Sequence, residues 1–293
     1  MNTLSGIVTD ISAATNLTIS DYKLNAVGGG CINEAYHLTS THASFFIKLN
    51  KPHLVAMFEA EAAGLAEMSQ FNAVRVPNVI CFGQADGYSY IVLEYIKLGS
   101  LRGQSTALLG QQLAELHRHE HAYYGWHCDN TIGSTEQINT REHDWTRFWQ
   151  QHRLGQQLKF AESNGYTGKL LDRGYQLIDK IEHFFVGYCP HPSLVHGDLW
   201  GGNAASDDNG NPVIFDPASY YGDRETDLAM TELFGGFGAD FFSEYDQTYP
   251  LDPGYQTRKT LYNLYHIINH VNLFGGGYLS QAESMIEQLL AEL

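Results

Sequence analysis

The sequence predicts an α+β chain of two lobes: a β-rich N-terminal lobe over residues 1–96 and a mainly helical C-terminal lobe over residues 97–293. Three observations predict it. Short β-branched and aromatic runs, parted by turn residues, fill the N-terminal third. After Gly99 the apolar residues fall at helical spacing instead. Between the predicted helices lies a loop-rich stretch, 189–222, dense in Gly, Asp, Asn and Pro.

Taken in order, residues 21–27 (DYKLNAV) alternate loosely and run into Gly28-Gly29-Gly30. Residues 34–38 and 44–49 (SFFIKL) follow as two further runs, so the start reads as an antiparallel meander with glycines at its first turn. Residues 53–70, after Pro52, are rich in Ala, Leu, Met and Glu, which lose little side-chain freedom in a helix. Residues 74–82 and 88–96 (YSYIVLEYI) read as two more strands bridged by Gly83 and Asp86-Gly87. The N-terminal lobe is thus predicted as a sheet with one inserted helix. In 105–120, Leu109, Leu113 and Leu116 share a helix face, as do Leu171, Tyr175, Ile178 and Ile181 in 168–185. Two late segments, 258–274 and 280–292, also read as helix, with Ser280 and Glu283 as a capping box for the last.

Composition narrows the function. Lys and Arg number 17 against 33 Asp and Glu, a net charge of −16, which argues against a nucleic-acid partner but not against a small phosphorylated ligand in a locally cationic pocket. At 43% hydrophobic the chain can bury a sizeable core. The four cysteines (Cys31, Cys81, Cys128, Cys189) are too widely spaced for a CxxC motif, and the start MNTLSGIVTDIS has no signal-peptide character. No apolar run approaches the ~20 residues that span a bilayer, so no membrane partner is expected. The expectation is a cytoplasmic protein, monomer or homodimer.

The chemistry concentrates in three places. His196-Gly197-Asp198-Leu199-Trp200-Gly201-Gly202-Asn203 has the form HxDxxxxN, and the apolar run 213–215 then delivers a second carboxylate, Asp216. Phosphoryl transfer from a nucleotide needs this kit. One carboxylate (Asp198) orients and accepts the acceptor's hydroxyl proton, while an amide oxygen (Asn203) and a second carboxylate (Asp216) hold Mg²⁺ on the phosphates. The glycines 28–30 would let backbone N–H groups approach phosphate oxygens, although a glycine hairpin can also be a mere flexible turn. Lys48, in the run FFIKL, is either an edge-strand charge or a phosphate-binding lysine, and the latter needs a helical glutamate beside it. Glu59 and Glu61 lie on different faces of the next helix. Glu61 is the choice, because Leu65 four residues on could face the core beside it.

In this order the motifs resemble the protein-kinase-like fold, its aminoglycoside-phosphotransferase branch, and most narrowly the fructosamine (ketosamine) kinase family. The matching stretches are VGGGCINEAY (27–36), FFIK (45–48), FEAEAAGL (58–65), LAELHR (113–118), DWTRFW (144–149), RLGQQL (153–158), LVHGDLWGGN (194–203) and FDPASYYGDRETDLAMTELFGGF (215–237). The resemblance implies ATP between the lobes, covered by Gly28, Gly29, Gly30, Cys31 and Asn33, with Lys48 on its phosphates and Glu61 positioning Lys48. Glu94 and Ile96 would present backbone groups to adenine, Asp198 would be the catalytic base, and Asn203 and Asp216 would hold Mg²⁺. It further implies that His196 organises the loop and that Asp227 bonds the loop's backbone. Asp216 is followed by Pro217 rather than a DFG-like glycine, which fits the small-molecule branch.

The implied reaction is phosphorylation of the sugar 3-hydroxyl of ketosamines, ribulosamines or fructosamines, on small amines or glycated protein side chains, after which the adduct breaks down. For the acceptor, the 129–139 segment with Gln137, together with Trp200, Trp145, Asp223 and Glu225, are candidates by proximity. Cys31, a thiol in a phosphate-binding turn, is a candidate for reversible oxidative inhibition. Three competitors remain. One is a kinase of another amino-alcohol, such as an aminoglycoside or choline. Another is a metal-dependent hydrolase built on histidines four apart, His117 and His121 or His266 and His270, which are expected as solvated surface pairs otherwise. A non-catalytic nucleotide binder is the third.

Overall fold

The computed structural model describes residues 4–28 and 32–293. Gly29, Gly30 and Cys31, and with them the core of the glycine turn and the thiol expectation, lie outside the described residues. Five antiparallel strands, β1 (Lys23–Val27), β2 (Glu34–Thr39), β3 (Ser44–Asn50), β4 (Val79–Ala85) and β5 (Tyr88–Glu94), form a sheet of order β1-β2-β3-β5-β4. Its centre is β3. The period-2 alternation of SFFIKL gives β3 two different faces. Phe45, Ile47 and Leu49 pack against Leu4, Ile7, Val8 and Ile11 of helix α1 (Ser5–Thr15) and its entry. Phe46, and Lys48 by the same alternation, face the other side, where helix α2 (Val55–Gln70) lies.

Helix α1 is absent from the predicted lobe, yet its signal is present: residues 4, 7, 8 and 11 make one helical stripe among Ser, Thr and Asp. Tertiary bonds fix it. The Gly6 and Ile7 amides donate to the Asp86 carboxylate at 3.2 and 3.1 Å, and Tyr90 donates to Asp10 at 2.6 Å. The strand predicted from residue 74 begins only at Val79. Pro77 has no N–H to give a ladder, and Arg75 instead accepts from the Ile214 amide at 3.0 Å. Val74 and Val76 are buried in the principal core.

The C-terminal lobe is built on α3 (Gln104–His117), α6 (Lys169–Ile178), α7 (Glu225–Leu233), α8 (Ala239–Thr248), α9 (Tyr255–Phe274) and α10 (Tyr278–Ala291). A further helix, unpredicted, starts behind the Asp144 cap as α4 (Trp145–Phe148) and continues through a π turn at 149–154 into α5 (Gly155–Ser163). The wide turn sets Arg153 fully inside, donating to the Ile138 carbonyl at 2.7 Å and lying 4.0 Å over the Tyr220 ring. The helix predicted over 168–185 stops at Ile178, because Lys180 leaves helical geometry (φ −116°, ψ 4°) and a 3₁₀ turn follows. Ser280 does not cap the last helix: left-handed Gly275 and Gly276 turn the chain so early that α10 starts at Tyr278. Ser280 sits inside it and donates back to the Gly277 carbonyl at 3.0 Å.

The principal core is continuous between lobes: Phe58, Leu65 and Met68 of α2 join Leu109, Leu113 and Leu116 of α3. Short two-stranded pairs complete the junction: β6 (Asn130–Ile132) with β7 (Thr135–Gln137), β8 (Ser193–Val195) with β11 (Tyr220–Gly222), and β9 (Ala204–Ser206) with β10 (Pro212–Ile214). Among the described residues no helix is long and apolar enough to cross a membrane.

Candidate active site

Three elements converge on one ammonium. Lys48 is 4% exposed, and its Nζ lies 2.6 Å from Glu61 on α2 and 2.5 Å from Asp216 beyond β10. Of the two candidate glutamates it is Glu61 that meets the lysine, while Glu59 points to solvent. Burial alone would push the Lys48 ammonium down, but Asp216 and Glu61 more than reverse this and raise it, so it stays charged. Helix α2 cannot easily swing away. Its Glu67 accepts from Trp126 Nε1 and from the Tyr221 hydroxyl, both at 2.6 Å, which ties the helix to the C-terminal lobe. Sequence reasoning missed Glu67, one more helical glutamate with no motif around it.

Asp216 holds a left-handed backbone (φ 58°), an uncommon and strained conformation outside glycine. The strain is held by the flanking bonds: Phe215 N donates to the Asn203 carbonyl at 3.1 Å, and Ala218 N to the His196 carbonyl at 2.9 Å. Thus the HxDxxxxN loop and the second carboxylate are laced together by the chain's own backbone bonds.

The loop itself hangs from Asp227. Its Oδ2 accepts from the His196 amide at 2.7 Å and its Oδ1 from the Gly197 amide at 2.8 Å. His117 Nε2 donates to the same carboxylate at 3.1 Å, and its Nδ1 meets the Tyr245 hydroxyl at 2.8 Å. Burial opposes the charge on Asp227, yet His117 and these amides hold its pKa below the ordinary value. His196 is a second brace. Its Nε2 donates to the Phe215 carbonyl at 2.9 Å, so Nδ1 is the acceptor for the Asp198 amide at 3.3 Å. Burial first lowers its pKa, which keeps the ring neutral in that tautomer.

Asp198 accepts from Asn203 Nδ2 at 3.2 Å through Oδ2, and the same amide nitrogen bonds the Asp198 carbonyl at 2.9 Å. Burial, then repulsion from Asp216, push its carboxyl well above the usual range, as suits a group that takes up a proton. Asn203 spends its nitrogen on the loop and leaves Oδ1 outside these bonds. Asp216 uses Oδ1 for Lys48.

At the sheet end, Asn33 accepts from Asn50 at 2.7 Å, which ties the entry of β2 to the end of β3, and Gly28 is exposed. Glu94 pairs with Asn78 through both backbone and side chain, at 2.9 and 3.0 Å. No described hydrogen bond uses the Ile96 amide.

Several acceptor-side expectations fail on burial. Asp223 is fully buried and accepts from Tyr262 at 2.5 Å and Tyr188 at 3.1 Å. Glu225 is equally buried, clamped by Arg258 at 2.7 and 2.9 Å. Gln137 is 1% exposed and saturated by Asn130, Ala218 and Tyr265. Trp145 lies in the core, donating to Tyr262 at 3.1 Å. All four are framework. Trp200 differs: it is 40% exposed, with its ring edge-on to Phe234 at 6.4 Å. The histidine pairs fail as metal sites and as surface pairs: among the described residues no three His, Cys, Asp or Glu side chains gather to hold a metal, and His117, spent on Asp227, and His266 are both buried.

The family model described as fructosamine kinase covers residues 4–292. The chain belongs to the fructosamine kinase family. A Synechocystis relative, provisionally named a ketoamine kinase, is 47% identical over 97% of this chain and 96% of its own. The chloroplastic protein-ribulosamine 3-kinase of Arabidopsis thaliana is 44% identical over 96% and 85%. Among solved structures, a Haemophilus somnus protein with a provisional fructosamine-3-kinase name superposes with a TM-score of 0.89 at 28% identity, covering 97% of this chain and 96% of its own. The ADP-bound aminoglycoside phosphotransferase APH(2'')-Ib shares the fold at a TM-score of 0.64, 16% identity and 96% coverage of each chain. The two-lobed kinase-like architecture expected from the sequence is therefore the fold of this family member.

Proposed function

We propose that this fructosamine kinase family member transfers the γ-phosphoryl group of ATP to the sugar 3-hydroxyl of ketosamines, with ribulosamines as the preferred class. The observation that carries the reading is the convergence of Lys48, Glu61 and Asp216 beside the braced Asp198–Asn203 loop, in a chain of this family. Lys48 binds the nucleotide phosphates, released by them from Asp216, while Glu61 keeps its aim. The 28–33 turn covers the phosphates, and the backbone of Glu94 and Ile96 meets the base. We take the nucleotide-binding lobe as residues 1–96 and the acceptor lobe as 97–293. The ribulosamine preference follows the names of the plant relatives.

Asn203 Oδ1 and Asp216 offer oxygen donors to a magnesium ion, a hard cation that takes few protein ligands beside phosphates. When bound, that ion neutralises charge on the phosphate oxygens. The remaining work belongs to the side chains. Asp198 Oδ2 is held by Asn203, which leaves Oδ1 to orient the acceptor hydroxyl and take its proton as the oxygen attacks. His196 and Asp227 hold that carboxylate in place. Trp200, two residues on and 40% exposed, is open to the sugar. The phosphorylated ketosamine then decomposes and frees the amine. The free cysteines Cys81, Cys128 and Cys189 suit a reducing, cytoplasmic setting.

The test is ADP release from MgATP with ribulose-lysine, fructose-lysine, an aminoglycoside and choline, with Asp198→Asn as control. Ketosamine-dependent turnover lost in the control is expected. Turnover confined to another alcohol would keep the fold and discard deglycation.

A further inference from the structure

An aromatic strip leads away from the catalytic loop, and beyond Trp200 it serves none of the roles above. It starts at Trp200, two residues past Asp198, and passes to Phe234 after α7 at 6.4 Å. His270 of α9 follows at 5.1 Å, with Phe274 at 5.5 Å and Tyr278 of α10 at 4.9 Å from it. The strip is open to solvent: Trp200, Phe234 and Phe274 are 40%, 38% and 60% exposed. Left-handed Gly275 and Gly276 fold α9 back into α10, which sets Phe274 and Tyr278 side by side at 6.5 Å. His270 donates its Nδ1 proton to the His266 carbonyl at 2.7 Å, so in the neutral ring Nε2 is an acceptor. No described hydrogen bond uses it. From residue 260 to the C-terminus the chain carries no lysine or arginine, so the stretch of α9 and α10 that forms the strip brings no like charge of its own against a cation.

We propose that this strip reads the carrier half of the acceptor: the ammonium sits at its inner end, and the carbon arm of the glycated amine lies along Phe274 and Tyr278. The inference rests on the ketosamine reading above. With the sugar hydroxyl at Asp198 and the ring beside Trp200, the amine must leave the site, and the strip is continuous with that point. Aromatic faces attract an ammonium, His270 Nε2 can accept its N–H, and flat apolar rings suit a run of methylenes. The outermost ring, Phe274, is the most exposed, so the far end of the arm reaches solvent. A lysine side chain can therefore enter while its polypeptide stays outside.

The experiment measures kcat/KM for two acceptors: 1-amino-1-deoxyribulose, whose amine bears no arm, and Nα-acetyl-Nε-ribulosyl-lysine. Phe274→Ala should lower the ratio of lysine-borne to armless acceptor by about 3–10-fold, the scale of one or two methylenes losing apolar cover, through KM rather than kcat. Phe274→Leu, apolar and of similar reach, should restore most of the ratio, with KM for ATP unmoved. An unchanged ratio in Phe274→Ala, or an equal loss for both acceptors, overturns the assignment while leaving the kinase reading intact. A parent enzyme that turns over neither acceptor overturns the ketosamine reading and this proposal with it.

Discussion

The base role proposed for Asp198, and the backbone at its neighbour Gly197, can each be tested at a single residue. Asp198→Asn keeps the bond to Asn203 but cannot take a proton. Turnover should fall roughly 10²–10⁴-fold with nucleotide affinity nearly unchanged, measured by steady-state rates alongside ADP titration. Equal losses in both would remove Asp198 from the base role. Gly197 has φ 82°, and a Cβ there would lie 2.2 Å from the Ala218 carbonyl oxygen. Gly197→Ala therefore combines left-handed strain with a backbone clash, and should lower stability by about 2–5 kcal/mol, read from chemical denaturation midpoints. The same spot carries the amide that Asp227 holds, so activity should fall with it.

At the scale of elements, the setting of α2 decides whether Lys48 is aimed. Glu67→Ala removes the acceptor of both Trp126 Nε1 and the Tyr221 hydroxyl, on residues that are nearly buried. Each unsatisfied donor costs about 1–3 kcal/mol. The variant should be destabilised by that order and should show a raised KM for ATP, because Glu61 moves with the helix. A normal KM in a destabilised variant would separate the two effects and refute the coupling. The junction of β11 and α7 carries a different signature. Burial, then repulsion from Asp223, push Glu225 up to about 7 despite Arg258. Its ordinary value is 4.5, so across that interval the folded state keeps a proton that the unfolded chain releases. Stability should therefore decline as pH rises from about 4.5 to about 7. Asp223→Asn should flatten this slope in denaturation series at fixed salt. A slope of opposite sign in the parent would contradict it.

For the whole molecule, packing joins the two lobes through one core. The principal core runs from α2 straight into α3, and Arg75 of the N-terminal lobe pairs with Asp207 and bonds the β9–β10 hairpin. A single cooperative unfolding transition is expected, with coincident far-ultraviolet and tryptophan signals. Two separated transitions would show that the lobes melt independently. With a net charge of −16 the global field repels a polyanion, so nucleotide binding has to rest on local groups, among them Lys48, buried between Glu61 and Asp216.

How much of this was legible in the sequence follows physical lines. Alternation and turn residues gave the five strands, because strand faces and tight turns are local properties. The choice of Glu61 over Glu59 was legible for the same reason: helical geometry alone decides which one shares a face with Leu65. The HxDxxxxN spacing survived into the structure because a loop of eight residues, 196–203, can bring its own ends together. Helix α1, by contrast, needs Asp86 and the back of the sheet to hold it, and its polar composition hid the stripe. Glu67 and His117 gain their roles from partners 154 and 110 residues away. Asp223, Glu225 and Gln137 lie close to the motifs in sequence, yet the chain turns each inward, where tyrosines and Arg258 claim their oxygens. Residue chemistry and short-range spacing thus pointed to phosphoryl transfer in a two-lobed α+β chain, and the resemblance of the motifs to a known family supplied the kinase-like fold and the acceptor class. Which acidic and aromatic side chains face the acceptor was decided only by tertiary packing, since the direction of a side chain past a turn depends on what fills the space behind it.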